Sequence, residues 1–248
     1  MKLVLEKADD FKKSIDAIAV LVDEADFNIN ESAIRLKATD PSQISMVNFC
    51  LEKSAFQTFE VENNTKIGAN LDYLRQIMSR AKSDDLMQLE LKSGKNSIDL
   101  TFKGSSTRHF QIPLIDLTSG ELPNPKIEFD AELKLKARVI QDALKDAALI
   151  STHVSLGIQD NTFFVKANSS KGVLHNKTAK DDANILEMKS TSDVESMFPL
   201  DYLSDMLKAA SPDTDVTLKL KTNAPVELSY AIGEASMSYF LAPRIEDD

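Results

Sequence analysis

Tryptophan is absent from this chain, cysteine occurs once, and glycine only seven times in 248 residues. Each shortage closes off a class of protein. A single cysteine, Cys50, cannot build an intrachain disulfide framework, and it fits a reducing compartment. It lies in the apolar run MVNFCL, which predicts a buried structural thiol rather than a nucleophile. So few glycines leave no room for glycine-rich phosphate loops, and neither GxGxxG nor GxxxxGKS/T occurs. The three histidines, His109, His153 and His175, are scattered, and none stands at metal-ligand spacing from Cys50 or from another histidine. GxSxG and HExxH are missing as well. The paired acids Asp84/Asp85 and Asp181/Asp182 fall in turn-like stretches, where carboxylates are ordinarily solvated. No catalytic residue, cofactor or metal is therefore expected. No stretch reaches the roughly 18 apolar residues that cross a bilayer, and MKLVLEKADD lacks the apolar core of a secretory signal. The expectation is a protein without a membrane partner.

Positive charge is also in short supply, with 29 Lys and Arg against 39 Asp and Glu and a net charge of −10. That balance argues against a simple basic nucleic-acid binder, but a net charge says nothing about where the cations lie. The apolar share of 42% and the charged share of 27% are those of an ordinary globular protein. At roughly 150 residues per domain, the length allows one or two domains.

What the chain does contain is one segment twice. LDYLRQIMSRAKSDDLMQLEL, from Leu71, and LDYLSDMLKAASPDTDVTLKL, from Leu200, agree without a gap at eight of 21 positions, 129 residues apart. An offset of about half the chain points to two similar domains in tandem rather than to a solenoid. Apolar residues at helical spacing predict helices over Asp9–Glu24 (Phe11, Ile15, Ile18, Val22), Asp72–Lys82 (Leu74, Met78, Ala81), Arg138–Ile150 (Ile140, Ala143, Leu144, Ala147) and Leu200–Ala210 (Leu203, Leu207, Ala210). Pro199 suits the first turn of the last. Ile98, Leu100 and Phe102, and Val226, Leu228, Tyr230 and Ile232, alternate with polar or small residues, as strands with one buried face do. Each half thus reads helix, strands, helix, strands: an α+β chain of two tandem domains of the same topology, each with two helices on antiparallel sheets. PLIDLTSGELPNPKIEFD shows neither period and holds three of the eight prolines. The predicted limits are 1–113 and 131–248, with 114–130 as connector.

The predicted helices carry their cations away from their apolar faces. Arg75, Ser79 and Lys82 fall at i, i+4 and i+7, Arg138, Gln141 and Lys145 at i, i+3 and i+7, and Ser204, Lys208 and Ser211 repeat the register of the first set. Lys12 and Lys13 point away from Phe11 and Ile15. Any one such stripe is an ordinary solvated face. Four in matched register would gather cations on one surface of an acidic protein, where they attract phosphates without reading sequence. No aromatics interleave with them, so stacking on single strands is not indicated. Two other readings stay open from composition and spacing: a two-repeat peptide-binding scaffold with no nucleic-acid role, and an enzyme with an unrecognised site.

FKKSIDAIAVLVDEADFNI, IRLKATDPSQISMVNFCL, ANLDYLRQIMSRAKSDD, the connector PLIDL…ELP and the ending YFLAPRIEDD together resemble the sliding clamps of archaea and eukaryotes, the proliferating cell nuclear antigen family. The resemblance implies a ring of three subunits lined by twelve helices, closed around double-stranded DNA and free to slide. It implies a processivity factor and docking platform for clamp loader, polymerase, nuclease and ligase. By position, it assigns Lys12, Lys13, Arg75, Arg80, Lys82, Arg138, Lys145 and Lys208 to the DNA-facing surface. A partner-peptide pocket is implied at Thr39, Gln43, Ile44, Met46, Leu122, Pro225, Phe240, Leu241, Ala242, Pro243, Arg244 and Ile245. The subunit contact would join edge strands near Thr107–Ile112 and Gly172–Thr178, with Arg108, Phe110, Asp142, Asp146, Val173 and Leu174. Asp142 and Asp146 would meet Arg80, Lys82 or Arg108 of a neighbouring copy. Arg108 is the interface choice, and Arg80 and Lys82 remain open between channel and interface.

Overall fold

The structure is a computed structural model that describes every residue except 93, 118–121, 124 and 246–248. It divides into two compact units, the first Met1–Pro41, Val47–Pro123 and Ile232–Met237, the second Ser42–Met46, Asn124–Ala231 and Ser238–Asp248. In the first half of the chain the elements are β1 (Lys2–Leu5), α1 (Ala8–Ala19), β2 (Glu24–Ile29), β3 (Ala33–Thr39), β4 (Ser45–Glu52), β5 (Thr58–Glu60), β6 (Thr65–Asn70), α2 (Leu71–Met78), β7 (Leu86–Glu90), β8 (Ser97–Lys103) and β9 (Thr107–Pro113). The second half runs β10 (Ala131–Lys136), α3 (Ala137–Ala148), β11 (His153–Gln159), β12 (Thr162–Ser169), β13 (Gly172–Ala179), β14 (Ile185–Ser190), β15 (Val194–Pro199), α4 (Leu200–Leu207), β16 (Asp215–Leu220), β17 (Val226–Ile232) and β18 (Ala235–Leu241).

The repeat in the sequence is a repeat of topology. Strand order β5-β1-β7-β8-β9 in the first half is matched by β14-β10-β16-β17-β18 in the second, and β4-β3-β2-β6 by β13-β12-β11-β15. The paired strands are antiparallel, as Leu3 opposite Leu89 and Leu133 opposite Leu218 illustrate. Helices α1 and α3, and α2 and α4, keep the offset of the sequence repeat residue for residue.

Helix faces divide as their apolar spacing requires. α1 buries Phe11, Ile15 and Ile18, α2 buries Leu71, Leu74, Ile77 and Met78, α3 buries Ile140, Ala143, Leu144 and Ala147, and α4 buries Leu200, Leu203, Met206 and Leu207. α1 packs on α2 within the first unit, and α3 on α4 within the second. Asp9 and Asp10 stand in the first turn of α1, favourable to its positive end, and the Asn70 side chain caps α2 by accepting the Tyr73 N–H at 2.8 Å.

Three local expectations need correction. α1 stops at Ala19 because the Leu21 and Val22 N–H groups both turn back to the Ile18 carbonyl, and Glu24 already begins β2. α2 stops at Met78, four residues early, and α4 at the matching Leu207, three early, each passing into a tight turn. Cys50 is half-buried rather than buried: Phe49 and Leu51 fill the core side of β4, and its thiol lies 3.3 Å from Glu52 Oε1. Burial pushes that thiol's pKa up, and the Glu52 carboxylate adds to the effect, so it is a poor nucleophile. The alternation in β8 holds for Ile98, Leu100 and Phe102, but Asp99 is buried too, paired with Lys92 at 3.2 Å.

No helix or strand occupies the described part of the connector; Thr118–Glu121 and Asn124 of it, and Glu246–Asp248 of the ending, lie outside the described residues. Its start is held to the first unit: the Leu114 N–H donates to the Asn96 carbonyl at 3.1 Å and the Ile115 N–H to the Gly68 carbonyl at 3.0 Å. A Cβ on Gly68 would stand 2.1 Å from the Ile115 carbonyl oxygen, so only glycine admits this approach. Gly68→Ala is expected to cost about 1–3 kcal/mol and to accelerate exchange of the Ile115 amide. Hydrogen exchange with mass spectrometry checks this, and unchanged protection at Ile115 would refute it.

Candidate nucleic-acid interface and partner sites

The outward faces of α1, α2 and α3 carry cations, and α4 has only Lys208 just past its last residue, so the stripes do not take the form that spacing alone predicts. Lys13 pairs with Asp9 at 2.7 Å, one turn away, and that hydrogen bond raises the Lys13 pKa. Arg75 pairs with Asp72 at 3.8 Å and Lys145 with Asp142 at 2.8 Å. Arg138 reaches from the start of α3 to the Asp213 carboxylate beyond α4, and its Nε to the Pro212 carbonyl. Lys12, Arg80, Lys82 and Lys208 carry no ion pair among the described residues, although the Lys82 ammonium stands 3.4 Å from the Ser105 hydroxyl. Gln141, expected in the α3 stripe, is instead held by the carbonyls of Leu207 and Ala210 at 3.1 and 2.9 Å. It ties α3 to the end of α4.

Asp85 braces the turn that follows α2. Its carboxylate accepts the Lys82 N–H at 2.6 Å, its own N–H donates to the Lys82 carbonyl, and its carbonyl accepts the Ala8 N–H that opens α1. Arg80 and Lys82 lie in that turn, which begins where the Arg80 and Ala81 N–H groups donate to the Ile77 and Met78 carbonyls at 3.0 Å, and α4 stops at the same register with Thr214 at the matching position. Asp85 is only 2% exposed and pairs with Arg108. The same guanidinium donates to the Arg80 carbonyl and lies 5.4 Å from the Phe102 ring centre, while its Nε is buried without a partner. Burial alone would raise the Asp85 pKa, but the Lys82 N–H and Arg108 together hold it below the usual carboxylate range.

Arg108 and Phe110, expected at the subunit contact, both turn toward Phe102 inside their own unit, Phe110 at 5.9 Å between ring centres. Their strand, β9, is nonetheless the edge of its sheet, as β13 is of its own. On β13, Val173 is 74% exposed and Leu174 half-buried. Asp142 and Asp146 are exposed on α3. An edge strand presents unpaired N–H and C=O groups that invite another chain.

Of the residues expected to form the peptide pocket, all but Thr39 and Leu122 belong to the second unit. The loop Ser42–Met46 belongs to that unit, with Gln43 in the left-handed region at φ 58. The Ala242 N–H donates to the Ile44 carbonyl at 2.8 Å and the Arg244 N–H to the Met197 carbonyl at 2.7 Å. Met46, Pro225, Phe240, Ala242 and Pro243 are half-buried, Arg244 is exposed, Ile245 is 65% exposed, and Leu241 is fully buried as core. Thr39 and Leu122 belong to the first unit, where the Lys37 ammonium donates to the Leu122 carbonyl at 2.9 Å and fastens the connector to β3. Sequence reasoning missed Lys37, Asp85, Met197 and Asp213. Asp213 was visible as the repeat partner of Asp84, but the long-range contacts of all four have no sequence signal.

Among the described residues, no group of three or more His, Cys, Asp and Glu side chains could hold a metal ion, and no helix is long and apolar enough to cross a membrane.

Residues 1–120 match the model for the proliferating cell nuclear antigen N-terminal domain, and residues 124–245 that for its C-terminal domain. The DNA polymerase sliding clamp of Pyrococcus furiosus is 33% identical over 247 residues, covering 99% of either chain. That of Thermofilum pendens is 34% identical over 248 residues, covering 99% of this chain and all of its own. Among solved structures, the proliferating cell nuclear antigen of Thermococcus kodakaraensis shares the fold at a TM-score of 0.94 and 24% identity, covering 98% of this chain and 99% of its own. The one from A. fulgidus, with the C-terminal region of FEN-1 bound to it, gives 0.90 at 26% identity, covering all of this chain and 99% of its own.

Asp85→Ala would leave a largely buried guanidinium without its counter-charge, at a cost of about 3 kcal/mol, the low end for such a loss because Arg108 is a quarter exposed. Because the folded pKa of Asp85 is depressed, its contribution is complete above the ordinary carboxylate pKa of about 3.9 and disappears as pH falls through the folded value. Thermal unfolding of both proteins should show a gap that is constant from neutral pH down to about pH 4 and shrinks below it. A gap that shrinks already between neutral pH and pH 5 would contradict this assignment.

Proposed function

Because the chain belongs to the proliferating cell nuclear antigen family of DNA polymerase sliding clamps, we propose that three copies close into a ring around duplex DNA and keep a replicative polymerase on its template. The observation that carries this reading is the duplicated topology, in which α1, α2 and α3 leave cation-bearing faces outside their own cores and Lys208 stands exposed at the end of α4. Six such domains make a near-symmetric ring from three chains. Closure holds DNA topologically, so the contacts themselves can be weak and screened by salt, as sliding requires. Strong contacts would pin the ring.

The free edges β9 and β13 support pairing between neighbouring copies, with Val173 and Leu174 at the seam and Asp142 and Asp146 near it. Arg108 is engaged with Asp85, which leaves Arg80 and Lys82 for the neighbour or for DNA. Within the chain we take 1–113 and 131–248 as the two domains and 114–130 as connector. Short peptides of polymerase, clamp loader, nuclease and ligase would dock on the second unit, at the tail Phe240–Ile245, the loop at Gln43, Ile44 and Met46, and Pro225. Apolar anchors with adjacent main-chain hydrogen-bonding groups suit such peptides, and the FEN-1 segment bound to the A. fulgidus relative supports peptide docking as a role. The role is non-enzymatic, and its place would be the cytoplasm, on the nucleoid.

The purified chain should have three times its mass of 27.5 kDa in solution. After clamp-loader treatment it should stay on closed circular DNA and run off linear DNA. Changing Lys12 and Lys208, the helix-face cations without an ion pair among the described residues, together to Ala should weaken the duplex contact while the trimer survives. A monomer, or equal retention on linear and circular DNA, would overturn the ring.

A further inference from the structure

Half of the eight cations assigned to the DNA-facing surface already have a carboxylate partner in their own chain: Lys13 with Asp9, Arg75 with Asp72, Arg138 with Asp213 and Lys145 with Asp142. All four acids are exposed or largely so, from 38% for Asp9 to 77% for Asp213. They stabilise little as surface ion pairs, and none is needed to satisfy a buried group. Two further acids crowd the cations that remain. Asp16 stands near Lys12 and Arg75, and Asp205 near Lys208, with burial raising the pKa of each carboxyl against the pull of those cations.

We infer that Asp9, Asp72 and Asp213 act as internal competitors for DNA phosphate, keeping the grip of the clamp weak enough to slide. This rests on the sliding-clamp reading. The physical reason is counterion accounting. A free lysine that meets a phosphate releases a condensed cation from the DNA, and that release drives binding. A lysine that must first leave an aspartate exposes a carboxylate beside the phosphate. The carboxylate repels the DNA and takes up a cation in its turn, so the gain is cancelled. The paired cations thus make the surface locally neutral, and phosphate attraction falls to Lys12 and Lys208, with Arg80 and Lys82 to the extent that they face the duplex. Asp142 has the same chemistry but stands among the proposed subunit-contact residues, so it is left intact in the test.

The test compares three proteins on duplex DNA over a range of KCl concentrations: the wild type, the triple variant Asp9→Asn, Asp72→Asn, Asp213→Asn, and a pair-deleted variant. The last also carries Lys13→Gln, Arg75→Gln and Arg138→Gln. The first variant frees three cations per chain; the second removes them together with their acids and leaves the net charge as it was. In the triple variant the salt dependence of binding should steepen by about 0.9 for each freed cation that reaches a phosphate. Loaded rings of that variant should diffuse several-fold more slowly along DNA at low salt and at the wild-type rate at high salt. The pair-deleted variant should bind and slide like the wild type. Wild-type behaviour of the triple variant would overturn the inference, as would weakened binding by the pair-deleted one, since Lys13, Arg75 and Arg138 would then be gripping DNA already. Retention on closed circular DNA is measured in the same samples. If the wild type is retained and the variants fail these expectations, only this inference falls; if the wild type is not retained, the clamp reading falls and takes the inference with it.

Discussion

An amphipathic helix laid against a sheet buries one stripe and leaves the other in solvent, and in this chain that constraint applies four times. The buried stripes, Phe11 to Ile18, Leu71 to Met78, Ile140 to Ala147 and Leu200 to Leu207, settle which way each helix faces. Whatever chemistry the helices offer must therefore lie on the opposite side, at positions such as Lys12, Arg75, Arg138 and Lys208. A chain of net charge −10 can hold a polyanion this way only if the duplex meets those faces and little else. The fold and the charge pattern are two consequences of the same periodicity.

The repeat made much of this legible before any coordinates. LDYL at Leu71 and at Leu200 opens a helix in both copies, and the conserved offset carries through to α1 and α3. Period-two alternation found β8 and β17 for the same reason: a strand with one buried face has no other pattern to show. The connector was readable from its prolines and its lack of period. These are local signals, written within ten or fifteen residues.

What escaped the sequence was long-range or made by a side chain acting on the backbone. Asp85 looked like half of a solvated acidic pair, yet it braces the turn after α2, receives Arg108 and supports the start of α1. Nothing in RAKSDD distinguishes it from Asp84. The contacts of Arg108 with Asp85 and the Arg80 carbonyl were likewise hidden, because an exposed arginine on an edge strand is indistinguishable in sequence from one turned inward. The meeting of Ile44 with Ala242, nearly two hundred residues on, depends on a loop whose unit membership no periodicity encodes. The pairing of Arg138 with Asp213 is similar: both residues were visible, but not their proximity. The stripes were thus located in part, with Lys82 and Lys208 falling past their helices and Gln141 engaged by α4, and they were overestimated in charge.

The central claim is that the solvent-facing helix surfaces are the ones that meet enclosed DNA. The most direct measurement is site-specific photo-crosslinking from clamps loaded on closed circular duplex. The probe is placed at Gln76 on α2, at Ser204 on α4, and, as a control, at Leu186 on the edge strand β14. The account predicts DNA crosslinks from the two helix positions and none from β14. Crosslinks from Leu186 with silence at Gln76 and Ser204 would mean that DNA lies against the sheets, and the account would be wrong.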